Sequence, residues 1–344
     1  MRWFVIAALM FGIGGAWAQA PIVRRPPAGP NGAQAPSGVQ AAGSEESHAP
    51  STVPATAPSI TVPTIKVRTR LVNVAVNVVD AHGAPVGGLG RDDFEIFEDG
   101  KAQKLAIFEK ESSTPLSIVL AIDASESVLR DDRLERDAAK HFVRALLRDQ
   151  DELDLMDFAD TVREIVPFTN DKKQIERGLA ELQRGDATAL YDAIYLGAQR
   201  LATTREDNGR RRVMVLITDG GDTVKGTRYP QAVEQAQRAG AMVYSIIIVP
   251  VAADAGRNTG GEHALIQMSE DTGGRYYYVE DPRDLEPAFA HVSDDLRTQY
   301  LLGYYAPQGP ADTSYRRIGV RLKDAGLREK YRLRYRVGYY ADVR

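Results

Sequence analysis

The chain has 344 residues, with 43 lysines and arginines against 47 aspartates and glutamates, and a formal net charge of −4. This near-neutral balance excludes a general electrostatic attraction to nucleic acid or to an acidic membrane surface. The sequence contains no cysteine, which excludes disulfide scaffolds, thiolate zinc sites and cysteine nucleophiles. The length is sufficient for about two domains.

The first 20 residues have the pattern of a secretory signal peptide. Arg2 supplies a positive charge, residues 3–13 form a short apolar run, and the small residues Ala16, Ala18 and Ala20 mark a cleavage site. The apolar run is shorter than the roughly 20 residues that a membrane-spanning helix needs. We therefore expect this segment to be removed, leaving an exported protein, periplasmic or extracellular, without a membrane span.

Residues 21–64 are dominated by proline, alanine, glycine, serine and threonine and contain few large apolar side chains. Such a segment cannot bury enough apolar surface to offset the conformational entropy that is lost on ordering. The composition predicts a disordered linker between the export signal and the folded part of the chain.

The first part of the folded region, residues 65–112, has the alternation that is typical of β-strands. Every second residue of one stretch is valine: Val72, Val74, Val76 and Val78. A period of two predicts a half-buried strand, with Asn73, Ala75 and Asn77 on its other face. Downstream, Asp99-Gly100 lies between two apolar stretches and predicts a two-residue hairpin, because both turn positions require positive φ.

The middle of the chain, residues 113–296, alternates between strand and helix patterns. Residues 116–122 and 213–217 are continuous apolar runs, as expected for strands that are covered on both faces of a parallel sheet. The predicted strands are 116–122, 153–158, 162–168, 213–217, 241–249 and 275–279, and the predicted helices are 134–145, 190–201, 229–238, 263–271 and 285–296. This alternation predicts a three-layer α/β domain around a doubly wound, mostly parallel sheet.

The strand pattern returns after residue 297. Alternating apolar or aromatic residues are Ile318, Val320, Leu322, Tyr331, Leu333, Tyr335, Val337 and Tyr339. We interpret Arg332, Arg334 and Arg336 as the solvent face of a strand rather than as a nucleic-acid surface. Because each flank alone has too few strands for two layers, we predict that residues 65–112 and 297–344 form one smaller β-sandwich, into which the α/β domain is inserted.

Polar residues follow both buried strands of the predicted sheet. Asp123, Ser125 and Ser127 come directly after the first strand, Asp219 follows the second, and Thr188 lies just before a predicted helix. In an open α/β sheet, ligands bind beyond the carboxyl ends of the strands. Carboxylate and hydroxyl oxygens suit a hard cation such as Mg²⁺. Each residue taken alone is more commonly a helix cap, so it is the combination that predicts a metal site.

The motif Asp123-x-Ser125-x-Ser127, together with Thr188 and Thr218-Asp219-Gly220, resembles the metal-ion-dependent adhesion site of von Willebrand factor A domains, which are integrin I-type domains. The resemblance covers roughly the predicted α/β domain, and the layout of the whole chain resembles bacterial proteins with a von Willebrand factor A-related domain. It implies a Rossmann-like fold and a divalent cation, Mg²⁺ or else Mn²⁺ or Ca²⁺. It also implies that the serines and the threonine hold the cation, that the aspartates act largely through water, and that a partner's carboxylate completes the shell.

Such a site favours recognition over catalysis. Three neutral hydroxyls and two carboxylates that act largely through water leave a cation with much of its positive charge, so that it attracts an external carboxylate. We therefore predict a non-enzymatic, exported adhesion module that binds an acidic residue of a partner protein through the metal.

Two alternatives remain open. A metal-dependent phosphohydrolase would use Asp123 as its nucleophile, but enzymes of the haloacid-dehalogenase type need a second aspartate where Ser125 stands. The sequence also has no Gly-x-Ser-x-Gly elbow, no His-Glu-x-x-His zinc motif and no phosphate-binding loop. A passive component of envelope assembly differs from an adhesion module in that metal would not control its binding.

Overall fold

The computed structural model describes residues 68–110, 114–125, 132–204, 210–249, 258–308 and 313–341. The predicted signal peptide, the predicted linker and Ser127 lie outside these residues. Within the described ranges, no helix is both long and apolar enough to cross a membrane.

The described residues form strands and helices in two regions. The strands are β1 (Arg68–Val79), β2 (Phe94–Glu98), β3 (Lys101–Gln103), β4 (Leu105–Glu109), β5 (Leu116–Asp123), β6 (Glu152–Phe158), β7 (Val162–Thr169), β8 (Arg211–Thr218), β9 (Met242–Ile248), β10 (Tyr276–Val279), β11 (Tyr300–Gln308), β12 (Tyr315–Leu322), β13 (Arg332–Arg334) and β14 (Gly338–Tyr340). The helices are α1 (Asp132–Leu146), α2 (Lys172–Gly178), α3 (Leu190–Thr203), α4 (Tyr229–Ala239), α5 (Thr259–Thr272), α6 (Leu285–Arg297) and α7 (Ala325–Lys330).

The central region is a six-stranded sheet with helices on both faces. Its strand order is β10-β9-β8-β5-β6-β7, and every neighbouring pair is parallel except β6 and β7. Every residue of β5 and β8 is buried, because α1, α2 and α6 cover one face of the sheet and α3, α4 and α5 cover the other. This three-layer arrangement confirms the predicted fold class.

The flanking regions form two four-stranded antiparallel sheets, ordered β13-β1-β11-β4 and β14-β12-β2-β3. Strands from before and after the α/β domain pair directly, β1 with β11 and β2 with β12. The four alternating valines of β1 are buried in the common core together with Phe94, Tyr300 and Leu302. The two flanks therefore build one sandwich with the α/β domain inserted, as predicted, and only two residues separate α6 from β11.

The second face of β1 differs from the half-buried strand that its alternation predicts. Asn77 is almost fully buried, and its side-chain amide donates a hydrogen bond to the hydroxyl of Tyr244 at 3.4 Å. Ala75 packs against the core of the α/β domain. The prediction is wrong at these positions because the inserted domain covers the polar face of β1, which is therefore not exposed to solvent.

The C-terminal strand predicted across residues 331–339 is divided between the two sheets, since β13 pairs with β1 whereas β14 pairs with β12. Where the chain crosses over, the backbone N–H of Val337 donates to the carbonyl of Asp271 at 3.0 Å. Arg336 is half-buried and donates to the carbonyl oxygen of Asn73 at 2.6 Å. The interpretation of the arginines as one solvent face is therefore wrong for Arg336, and also for Arg334, whose Nη1 is buried.

The turn after β2 has the predicted geometry, with φ of 48° at Asp99 and 77° at Gly100. It joins β2 to the three-residue strand β3. The next strand, β4, leaves this hairpin and pairs with β11 in the other sheet. The apolar stretches on the two sides of the turn therefore lie in different layers of the sandwich.

Candidate metal centre

The carboxyl ends of β5 and β8 are adjacent in the sheet. Asp123 is the last residue of β5, and Asp219 directly follows β8. Asp123 is fully buried, and its two carboxylate oxygens accept separate hydrogen bonds. The hydroxyl of Thr218 donates to Oδ2 at 2.6 Å, and the backbone N–H of Ser125 donates to Oδ1 at 3.0 Å. These contacts fix the orientation of the carboxylate.

The electrostatic environment of Asp123 lacks a positive charge among its described contacts. Burial raises the pKa of this carboxyl group to about 6, against the opposing effect of the hydrogen bonds from Ser125 and Thr218, and the negative charge of Asp219 raises it further. Burial disfavours a charged carboxylate unless an opposite charge compensates it. The arrangement therefore suits a cation beside Asp123.

Thr188 reaches the same edge of the sheet from the loop before α3. Its backbone N–H donates to the hydroxyl oxygen of Thr223 at 2.8 Å, and its carbonyl accepts from the backbone N–H of Thr223 at 2.9 Å. The residue is only 4% exposed, yet within the described part of the chain its hydroxyl has no hydrogen-bond partner. In the same loop, Gly185 forms a β-bridge with Ser125. The loops that carry Ser125 and Thr188 are thus in contact.

Gly221 leaves a small space between the side chains of Asp219 and Thr188. A Cβ atom on Gly221 would lie 3.1 Å from Oδ1 of Asp219, 4.0 Å from Oγ1 of Thr188 and 3.9 Å from Nδ2 of Asn258. The backbone N–H of Gly221 donates to Oδ1 of Asp219 at 2.9 Å. A carboxylate oxygen and an unpartnered hydroxyl therefore converge on a point that no side chain fills.

Four of the five predicted residues, Asp123, Ser125, Thr188 and Asp219, come together at this edge, and Ser127 lies outside the described residues. Carboxylates and hydroxyls are a hard-oxygen donor set that fits Mg²⁺. Nowhere in the described ranges does a group of three or more histidine or acidic side chains suit a metal ion. A cation bound here would therefore depend on the hydroxyl ligands.

The sequence profile of the von Willebrand factor type A domain family matches residues 117–291, which is about half of the chain. The chain belongs to this family. Von Willebrand factor type A domains often mediate interactions between proteins, and they are generally interaction modules rather than enzymes.

The chain is also similar to solved structures at low identity and with TM-scores below 0.5. An aerotolerance-related membrane protein from Bacteroides fragilis NCTC 9343, with multiple mutations to serines, is 21% identical, with a TM-score of 0.41 over 53% of this chain and 98% of that chain. The SpRpn10 VWA domain is 15% identical, with a TM-score of 0.40 over 51% and 94%. The pilus adhesin SpaC from Lactobacillus rhamnosus GG, in an open conformation, is 12% identical, with a TM-score of 0.45 over 76% and 49%. No curated protein matches the chain.

Two residues that position loops of this von Willebrand factor type A domain were not predicted from the sequence. Asp222, to which sequence analysis assigns no role, accepts a hydrogen bond from the backbone N–H of Tyr191 at 3.1 Å, in the first turn of α3. Asn258 caps α5 by accepting from Gly261 at 3.0 Å and donates to the carbonyl of Gly220 at 3.2 Å. An asparagine before a helical pattern is a recognisable cap, but its contact with the loop after β8 has no local signal.

Proposed function

We propose that the protein is an exported adhesion module that binds a divalent cation, Mg²⁺ first among the candidates, at Asp123, Ser125, Ser127, Thr188 and Asp219. Through this cation it recognises a carboxylate of a partner protein. The observation that carries the proposal is the approach of a fully buried carboxylate and an unpartnered hydroxyl to one edge of the sheet. The signal-peptide pattern of the first 20 residues supports export.

Thr188 and Asp123 have distinct parts in this proposal. The hydroxyl of Thr188 is available as a ligand because the backbone of its loop is held independently by Thr223. Asp123 supplies negative charge at the end of β5, and hydrogen bonds from the hydroxyl of Thr218 and the backbone N–H of Ser125 fix its carboxylate. A bound cation would supply a strong charge-assisted contact to an incoming carboxylate. The five proposed ligand residues include no positively charged side chain that could replace the cation.

Thr188→Val is expected to lower the affinity for Mg²⁺ or Mn²⁺ at least tenfold, on the order of what loss of a metal-site contact causes. Valine preserves the shape of the side chain and both backbone hydrogen bonds to Thr223, so the fold should be unchanged. Calorimetric titration of the full chain measures the affinity. Thr203→Val is the matched control, because the Thr203 hydroxyl donates to the carbonyl of Arg200 at the end of α3. Equal metal affinity of wild type and Thr188→Val would contradict the ligand assignment.

Asp219→Ala is expected to abolish metal-dependent capture of a partner from the native envelope. The full chain is immobilised and tested with Mg²⁺ and with chelator, and the same comparison is made for the variant. Capture that requires both Mg²⁺ and Asp219 supports metal-mediated adhesion. If wild type captures the same proteins in chelator, and Asp219→Ala captures them in Mg²⁺, the results would favour passive envelope assembly instead.

A further inference from the structure

A cavity of about 360 Å³ lies between the sandwich and the α/β domain, where β1 and β11 face the start of β8 and the connection from α4 to β9. Its lining includes six arginines: Arg70, Arg210, Arg211, Arg212, Arg238 and Arg336. Among the described residues that line it there is no aspartate or glutamate. The cavity is at the amino end of β8, whereas the candidate metal centre is at the carboxyl end of the same strand, so the two sites are separate.

Five of these arginines have polar partners among the described residues. Arg212 donates to the carbonyl of Ala239 at 2.9 Å and to that of Thr204 at 2.7 Å, and so holds the ends of α4 and α3. Arg210 forms an ion pair with Glu152 at 3.3 Å. Arg70 and Arg336 donate to the carbonyl oxygens of Tyr340 and Asn73, and Arg238 pairs with Glu234.

Arg211 is the most unusual residue of the cavity. It is only 6% exposed, and one guanidinium nitrogen, Nη1, donates to the side-chain oxygen of Gln299. Nε and Nη2 are also buried and have no hydrogen-bond partner. Burial lowers the pKa of Arg211 to about 10, so the group still carries its charge at neutral pH. A buried charge with unsatisfied N–H groups is strongly unfavourable unless an anion compensates it.

Three further guanidinium groups at the cavity lie over tyrosine rings. Arg238 lies 4.1 Å from the ring centre of Tyr340, and Arg70 and Arg336 lie 5.7 and 5.5 Å from that of Tyr339. Contacts of this kind help to fix the planar guanidinium groups. The same side chains also bond to polar groups: Arg70 to the carbonyl of Tyr340 at 3.4 Å, Arg336 to that of Asn73 at 2.6 Å, and Arg238 to Glu234 at 2.8 Å. The walls therefore present preorganised positive charge from both domains.

We propose that this cavity binds a phosphate group, either free or carried by a small phosphorylated molecule. Although Glu152 and Glu234 pair with Arg210 and Arg238, the charged side chains of the lining itself are all positive, and Arg211 has two buried donors without a partner. Guanidinium forks match the oxygens of phosphate in geometry as well as in charge. The volume of about 360 Å³ falls within the range of small-molecule sites, roughly 300–1,000 Å³. The ligand would join the sandwich to the α/β domain.

The variant Arg211→Met, made in the full chain, tests the proposal. Inorganic phosphate is the probe, its binding is measured by calorimetric titration and by thermal denaturation, and the chloride concentration is kept constant. We expect phosphate to raise the unfolding temperature of wild type, and Arg211→Met to lower phosphate affinity at least tenfold, on the order of the loss of two hydrogen bonds to a charged group. The phosphate-free variant should fold at least as well as wild type, because it loses an uncompensated buried charge. Arg144→Met is the control, since Arg144 is exposed on α1 and bonded to Glu176.

Further probes identify the source of the phosphate and guard against a folding defect. Tighter binding of glycerol 3-phosphate than of inorganic phosphate would assign the cavity to a carried phosphate, and the reverse to free phosphate; either result supports the proposal. If Arg211→Met does not fold, Arg336→Met on the sandwich side of the cavity provides the test, and it should weaken phosphate binding. Three results would overturn the proposal. Wild type and both cavity variants could bind phosphate with equal affinity, citrate could bind wild type as tightly as phosphate does, or wild type could fail to bind phosphate at millimolar concentration.

Discussion

Gly261→Ala is expected to lower the free energy of unfolding by about 1–3 kcal/mol, the usual range for overpacking, and to weaken metal binding at the candidate centre. A Cβ on Gly261 would lie 1.7 Å from the carbonyl oxygen of Gly220 and 2.7 Å from its carbonyl carbon. Backbone atoms cannot rotate away as the end of a side chain can, so α5 and the loop after β8 must separate. Asp219 lies on this loop, and Asn258 holds the loop to the start of α5.

Gly260→Ala is the matched control for this prediction. Its added Cβ would meet only Oδ1 of Asn258, at 3.9 Å, which is an ordinary contact distance. Both glycines are in the first turn of α5, so the change in helix propensity is the same for both variants and favours alanine by about 1 kcal/mol. Urea denaturation and Mn²⁺ titration of the two variants in parallel make the comparison. If Gly261→Ala matches Gly260→Ala in both measurements, the contact between α5 and the loop does not constrain the site.

The parts of the fold that could be predicted are those in which burial leaves a local pattern. The strands β5 and β8 are covered on both faces and appear as continuous apolar runs, whereas the core-facing residues of β1 alternate. Two short helices, α2 and α7, were not predicted because six or seven residues are too few for a clear periodicity. Their caps are the available signals: Asp171 accepts from the backbone N–H of Lys173 at 2.9 Å, and Asp324 accepts from that of Leu327 at 2.9 Å.

The features that could not be predicted depend on contacts between distant parts of the chain. Asn77 and Tyr244 are 167 residues apart, and no local pattern indicates that the polar face of β1 is covered. β4 follows the hairpin directly but pairs with β11, with Phe108 opposite Leu302. Of the arginines that line the cavity, the sequence pattern singles out only Arg336, since only the packing of the two domains brings Arg211 and Arg336 to one cavity.

The candidate metal centre was predictable in outline because the carboxyl ends of parallel strands meet at one edge of a sheet. This rule, together with the family resemblance, predicts Asp123 and Asp219 as site residues. It does not identify the residues that hold the loops in place, such as Thr223 beside Thr188 and Asn258 beside Gly220. Those contacts join elements whose relative positions the sequence does not specify. Metal binding itself stays a prediction until the titrations are made.

A second buried carboxylate, Asp154 near the start of β6, differs from Asp123 in having a partner that it must share. It is fully buried, its Oδ1 has no hydrogen-bond partner, and its Oδ2 accepts from Nε of Arg200 at 3.3 Å. Arg200 also forms an ion pair with Glu164. Burial raises the pKa of Asp154, and the neighbouring Glu164 raises it further. One arginine therefore serves two carboxyl groups, and we expect Asp154 to retain its proton well above the pH at which an exposed aspartate loses it.

Asp154→Asn is expected to gain stability relative to wild type by roughly 1–3 kcal/mol as the pH rises from about 5 to about 8.5, since each unit of pKa shift corresponds to about 1.4 kcal/mol. Unfolded aspartate has a pKa of about 3.9, so above that pH the folded wild type binds a proton that the unfolded chain has released, and its stability falls with rising pH. Asparagine does not titrate, and Arg200 keeps Glu164 as its partner. Urea denaturation at both pH values measures the difference. Glu164→Gln should make the stability of the protein less dependent on pH, because it removes the like charge beside Asp154. If the free energies of unfolding of wild type and Asp154→Asn instead change in parallel with pH, Asp154 is ionised throughout.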